Sequence, residues 1–164
     1  VKSYNVIVAL GSNEGNRYQN LIDAKKFLAG LSDSPVQVSS IYESEAIGPS
    51  SARYYNAVAS IMTDIEPEHL LQKLKEYEKS CGRDLESPRW SSRIIDLDII
   101  AYGRKIIDLP QLSIPHSEYS QRLFVLLPLR EVAPDWVDPK SGISLKEIIT
   151  LAPDMDIKKM ELDW

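Results

Sequence analysis

One cysteine, Cys81, stands in a chain of 164 residues. That excludes an internal disulfide and a thiolate zinc cluster, and it fits a reducing compartment. Cys81 falls at an apolar helical position and reads as a packing residue. No apolar run approaches the roughly 20 residues that a membrane span needs. Positive charge is also short: 19 Lys and Arg against 24 Asp and Glu leave a net charge of −5. Sequence-independent nucleic-acid binding depends on phosphate neutralisation, so the balance disfavours it. No repeat, low-complexity tract or linker divides the chain, and its length suits one domain over 1–164. The opening residues enter a strand almost at once, so no secretory leader is expected, and the expected location is cytoplasmic.

What is present concentrates between Arg83 and Gly103. Residues 94–102 read as a β-branched strand closed by Gly103. Side chains alternate along a strand, so Ile95, Leu97, Ile99 and Ala101 should share one face and Asp96 and Asp98 the other. With Cα atoms roughly 6.6 Å apart, the two carboxylates repel. An oxygen-preferring divalent cation between them, Mg²⁺ for example, relieves that repulsion. Just upstream, Arg83, Arg89 and Arg93 are planar cations that suit phosphate oxygens. Paired Asp with nearby Arg is what a polyphosphate–Mg²⁺ complex requires. The plain alternative is an edge strand with two solvated Asp, and the short Asp-x-Asp pattern alone does not exclude it.

The rest of the chain supplies a frame. Residues 4–10 form an apolar, central strand. Gly11-Ser12-Asn13-Glu14-Gly15 matches neither phosphate-loop pattern and reads as a tight turn. It leads into a helix carrying Leu21, Ala24, Leu28 and Leu31. A second strand over 36–42 is followed by a small-residue Gly-Pro loop over 43–53, long enough for a binding loop. In a third strand over 54–63, Tyr54, Asn56, Val58 and Ser60 share one face. Tyr55, Ala57, Ala59 and Ile61 share the other. Tyr54 offers a ring for stacking and Asn56 an amide for edge recognition, although such a pair is more often structural.

Pro67 opens a second helix with the stripe Leu70, Leu74, Tyr77 and Cys81, and Gly82 stops it. Glu78 lies off that stripe near the helix C-terminus, where the dipole disfavours an acid. The strand holding Asp96 and Asp98 follows. The order βαββαβ predicts an α+β, ferredoxin-like antiparallel sheet with helices on one face, extended by C-terminal helices. Ile106 and Ile107 suggest a short extra strand. Beyond them come two helical pieces broken at Pro128 and a helix opened by a Ser144–Glu147 capping box with Ile143 and Ile148 as its staple. His116 should lie near the surface, and residues 157–164 have no predictable place.

Several separated motifs together strongly resemble the 6-hydroxymethyl-7,8-dihydropterin pyrophosphokinases of folate biosynthesis. They are Ala9-Leu10-Gly11-Ser12-Asn13, the loop from Ser44 to Pro49, Tyr54-Tyr55-Asn56-Ala57, Gly82-Arg83 and Arg89-Trp90. Arg93-x-x-Asp96-Leu97-Asp98, Pro115-His116, Arg122-x-Phe124-Val125-Leu126 and Pro128-Leu129 complete the set. The resemblance implies transfer of pyrophosphate from ATP to the pterin hydroxymethyl group, with AMP leaving. It implies two Mg²⁺ ions on Asp96 and Asp98, and catalytic roles for Arg83, Arg93, Asp96 and Asp98. The pterin would lie between Tyr54 and Phe124, its edge read by Asn56 and by Ser44, Ile47 and Gly48. Glu78, Trp90, Arg93, Ile99, Ser113, His116 and Arg122 would line the nucleotide side. Ala46, Leu85, Gln111 and Ser117 depart from residues common in the family. They leave the metal pair untouched, but the nucleotide-side departures imply an altered ATP affinity. The expected partners are ATP and the pterin, with no nucleic acid and no membrane, and a monomer is expected. The rivals are a ferredoxin-like RNA-binding module, which would need a basic, aromatic sheet face, and a non-catalytic small-molecule binding domain of the same fold.

Overall fold

The protein is described by a computed structural model over residues 2–46, 52–82 and 94–164. In chain order the elements are β1 (Tyr4–Ser12), α1 (Arg17–Leu31), β2 (Gln37–Val38), β3 (Tyr42–Ser44), β4 (Tyr54–Thr63), α2 (Pro67–Ser80) and β5 (Asp96–Tyr102). A hairpin of β6 (Ile107–Leu109) and β7 (Leu112–Ile114) follows, then α3 (Leu123–Val132), α4 (Leu145–Leu151) and β8 (Ile157–Lys159). The main sheet runs β5-β1-β4-β3-β8, with β2 also paired to β4, and these pairings are antiparallel. This is the ferredoxin-like α+β arrangement, with β8 added at the edge.

Alternation builds two cores from one sheet. Val6, Val8 and Leu10 of β1, Ala57, Ala59 and Ile61 of β4, and Leu97 and Ile99 of β5 pack with Leu21, Ala24 and Leu28 of α1 and Leu70 and Leu74 of α2. The opposite face is not bare. Ile7, Val58, Ile100 and Ala101 pack there with Val125, Leu126 and Leu129 of α3 and Leu145 and Ile148 of α4. Helices therefore cover both faces, where the sequence pattern predicted one. The second layer covers only part of its face, and the uncovered end holds the cavity described below.

Two irregularities set which residues reach that end. Along β5 the register slips between Ile7 and Val8: Ile7 faces Ala101, yet Val8 faces Ile99. The extra residue moves Ala101 to the α3 side, so it does not share a face with Leu97 and Ile99 as strict alternation predicts. The predicted strand over 36–42 is likewise two pieces. Val38 faces Ala59, but Tyr42 faces Asn56, one residue out of step. At the break the Ser39 hydroxyl accepts a hydrogen bond from Val58 N–H at 2.9 Å. The slip turns Tyr42 and Ser44 onto the face that carries Asn56.

Other local expectations resolve simply. Gly11 lies inside β1, and the turn comes after it, with Gly15 at φ 70° and Asn16 capping α1 by accepting from Gln19 N–H at 3.0 Å. Gly82, at φ 96°, ends α2. The predicted break at Pro128 falls elsewhere: a short 3-10 turn, Tyr119–Gln121, ends at Arg122, and α3 runs through Pro128. Ser144 accepts from Glu147 N–H at 3.3 Å, as the capping pattern requires. The C-terminal stretch is placed firmly. Trp164 donates from Nε1 to the Ser39 carbonyl at 2.9 Å, and Lys25 lies over its ring. Among the described residues no helix is long and apolar enough to cross a membrane.

Candidate active site

At the uncovered end of the sheet lies a cavity of about 550 Å³. Its floor is Ala9 and Gly11 of β1, Tyr54 and Asn56 of β4, and Asp96 and Asp98 of β5. Register explains the grouping, because Gly11 faces Asn56 on one side and Asp96 on the other. The backbone thus carries an amide and a carboxylate as neighbours across a glycine. A Cβ at position 11 would meet the Tyr54 ring at 3.5 Å and Asn56 Oδ1 at 3.7 Å, taking up space above the floor. The wall opposite comes from the 3-10 turn and the start of α3: Glu118, Gln121, Arg122 and Phe124.

Asn56 is buried and its polarity is set by its partners. Nδ2 donates to the Tyr42 carbonyl at 3.2 Å and to Ser44 Oγ at 2.8 Å. Both amide hydrogens are used, so Oδ1 is left as an acceptor beside the cavity. Ser44, also buried, lines the same corner. Tyr54 and Phe124 are half-buried rings on the floor and the wall. Arg122 bonds Glu118 at 3.0 Å and lies 5.6 Å from the Phe124 ring centre.

Asp96 and Asp98 are half-buried on the cavity face. Among the described residues no three His, Cys, Asp or Glu side chains gather closely enough to enclose a metal ion. Two carboxylates alone still fit a hard cation that keeps water and takes its remaining oxygens from phosphates, as Mg²⁺ does. The donor set therefore suits Mg²⁺ arriving with a polyphosphate and does not suit a closed structural site.

Four other predicted site residues that the structure describes, Glu78, Ile99, Ser113 and His116, do not line this cavity. Glu78 is 1% exposed. Its Oε2 accepts from Leu97 N–H at 2.6 Å, between the two aspartates, so it ties α2 to β5. The side chain of Ile99 is buried in the core under α2. Ser113 lies in β7, across from Asp108. His116 Nδ1 accepts from Glu118 N–H at 3.1 Å, which leaves Nε2 as the protonated nitrogen of a neutral ring. Ile47, Gly48, Arg83, Trp90 and Arg93 fall outside the described residues. Glu118 and Gln121 were not singled out from sequence, since exposed polar residues in a short turn carry no periodic signal.

Fold and site together define an α+β domain of ferredoxin-like topology with a small-molecule cavity at one end of its sheet. The chain belongs to the 7,8-dihydro-6-hydroxymethylpterin-pyrophosphokinase family, whose profile matches residues 7–134. It is 40% identical over 154 residues to the 2-amino-4-hydroxy-6-hydroxymethyldihydropteridine pyrophosphokinase of a Synechocystis strain, covering 93% of this chain and 77% of that one. It is also 40% identical to the enzyme of the same name from Haemophilus influenzae, covering 92% and 95%. Against the folic acid synthesis protein fol1 of Pneumocystis carinii it is 38% identical over 93% of its length but spans only 21% of that protein. Crystal structures of Plasmodium falciparum HPPK-DHPS share the fold at a TM-score of 0.70 and 14% identity. They align with 91% of this chain, which spans 42% of theirs.

Proposed function

We propose that this chain transfers the terminal pyrophosphoryl group of ATP to the hydroxymethyl oxygen of 6-hydroxymethyl-7,8-dihydropterin. That oxygen attacks the β-phosphorus and the bond between the α- and β-phosphoryl groups breaks. AMP leaves with the bridging oxygen, and the hydroxyl proton is released. The observation that carries the reading is one cavity holding a ring-and-amide end and a paired-carboxylate end. A flat heterocycle fits beside Tyr54 and Phe124, with Asn56 Oδ1 accepting from an N–H on its edge. Its side-arm then points toward Asp96 and Asp98.

Asp96 and Asp98 would hold Mg²⁺, with two ions expected. Mg²⁺ neutralises and orients a polyphosphate when bound. Arg122 and His116 Nε2 supply donors for phosphate oxygens on the wall side, and Arg83 and Arg93 are assigned the same task. Glu78 acts by holding β5 through Leu97 N–H, so that the two carboxylates keep their spacing. A net charge of −5 supports action on free nucleotide, without nucleic acid. A cytoplasmic monomer is the working state.

The test is AMP release measured with each substrate left out in turn. Release should require ATP, Mg²⁺ and the pterin alcohol together. Asp96→Ala and Asp98→Ala should each abolish turnover, and Asp98→Ala should unfold no earlier than the parent, because two neighbouring carboxylates without metal repel. Full activity in both variants would remove the metal assignment.

A further inference from the structure

Ser44, Tyr54 and Asn56 face the cavity from β3 and β4, so Glu43 and Tyr55 point to the other side of the same two strands. A charge network occupies that back face. Glu43 takes Arg17 at 3.1 Å and Arg53 at 3.5 Å. The Arg17 Nη1 donates again, to the Arg53 carbonyl at 3.0 Å, and its guanidinium lies 3.9 Å from the Tyr55 ring centre. Arg53 continues to Asp156 at 3.1 Å. The backbones complete the circuit: Glu45 N–H donates to the Asp156 carbonyl at 3.1 Å, and Asp156 N–H to Glu45 Oε1 at 3.3 Å. The start of α1, β3, the start of β4 and the stretch before β8 are thereby locked together. Asp156 lies past residue 134, where the family match ends.

We propose that Glu43, with Arg17, Arg53 and Asp156, is a positioning network that sets affinity for the heterocyclic alcohol without touching it. None of the four lines the cavity. Isolated surface ion pairs contribute little. Here one half-buried carboxylate separates two guanidinium groups, and neutralising it leaves those like charges facing each other. Their repulsion acts on the β3–β4 pair that holds Ser44 Oγ 2.8 Å from Asn56 Nδ2. Among the described residues, the four side chains make no hydrogen bond or ion pair with β5 or the 3-10 turn, which border the carboxylate end of the cavity.

The inference rests on the pyrophosphokinase reading, and its test separates the two. Steady-state kinetics compare the parent protein with Glu43→Gln, Asp156→Asn and the double variant Glu43→Gln/Arg17→Gln. Glu43→Gln should raise the pterin KM by about fivefold or more, with ATP KM and kcat inside about twofold. Asp156→Asn, on a more exposed carboxylate, should act in the same direction more weakly. The double variant should recover part of the loss, because the unbalanced cation is gone. Added salt should raise the parent's pterin KM, since screening weakens the network, and should move that of Glu43→Gln less. An unchanged pterin KM, or pterin and ATP KM rising together with a fall in unfolding midpoint, overturns the proposal. Titration of the pterin by its own fluorescence repeats the comparison without turnover. A parent that binds pterin but releases no AMP then condemns the reaction and leaves the network to be judged on binding.

Discussion

Asn56 has no choice about which end of its amide it shows the cavity. Tyr42 O and Ser44 Oγ consume the nitrogen. Asn56→Asp would set a carboxylate against the Tyr42 carbonyl, which has no proton to give, while the Ser44 hydroxyl can turn to donate; leaving a buried polar atom unpaired costs about 1–3 kcal/mol. The variant should lose about 10- to 100-fold in pterin affinity, far more than in ATP affinity, which paired equilibrium titrations would show. The residue types of this corner were readable in advance: Tyr54 and Asn56 alternate on one strand, and Asp96 and Asp98 on another. Their convergence was not readable, because it depends on Gly11 facing both Asn56 and Asp96. Phe124 and Arg122, predicted from the motif, reach the same cavity from a helix. The Ile99 side chain is core, since odd positions of β5 ahead of the bulge face α2, so a nucleotide-side role for this residue would fall to its backbone.

Among the elements, β3 depends on α3 through Glu131. That carboxylate accepts from Ser40 N–H at 3.0 Å, Ser40 Oγ at 2.9 Å and the Tyr42 hydroxyl. Burial pushes Glu131 up, but these bonds, with Lys159 nearby, outweigh it and hold the group below its ordinary value. Its contribution to stability is therefore present above the ordinary carboxylate range and lost as pH falls through the lowered value. Tyr42 moves the other way. Burial first, then the bond to Glu131, raises its phenol well above the ordinary value of 10.0. That contribution is fully present below about pH 10 and lost as pH rises further. Urea unfolding across pH should show both limbs. Tyr42→Phe should flatten the alkaline one and cost about 1–3 kcal/mol near neutrality, a typical loss for a hydrogen bond to a charged group. The helices and main strands were legible from apolar period and caps. The breaks in β5 and after β2 were not, since a slip in register leaves the hydrophobic count unchanged and is decided by the partner strand.

In the whole molecule, residues 157–164 are secured against residues 39–44. β8 adds to the β3 edge, Met160 N–H donates to the Ile41 carbonyl at 2.8 Å, and Trp164 packs on the first core while bonding Ser39. Trp164→Ala should cost about 2 kcal/mol, below the usual 3–5 for a fully buried ring because this one is half-buried. Thermal unfolding would register this as a lower midpoint. The βαββαβ order, the two helices under the first core and the chemical kinds of residue at the site were determined by the sequence alone. Periodicity of apolar side chains and local capping are short-range properties that a single chain displays. Only the tertiary structure decided that helices α3 and α4 close part of the second face, that residues 157–164 seal an edge, and that the cavity lies where the second layer stops. Those outcomes depend on which surfaces meet across long sequence separations, and no local pattern encodes that.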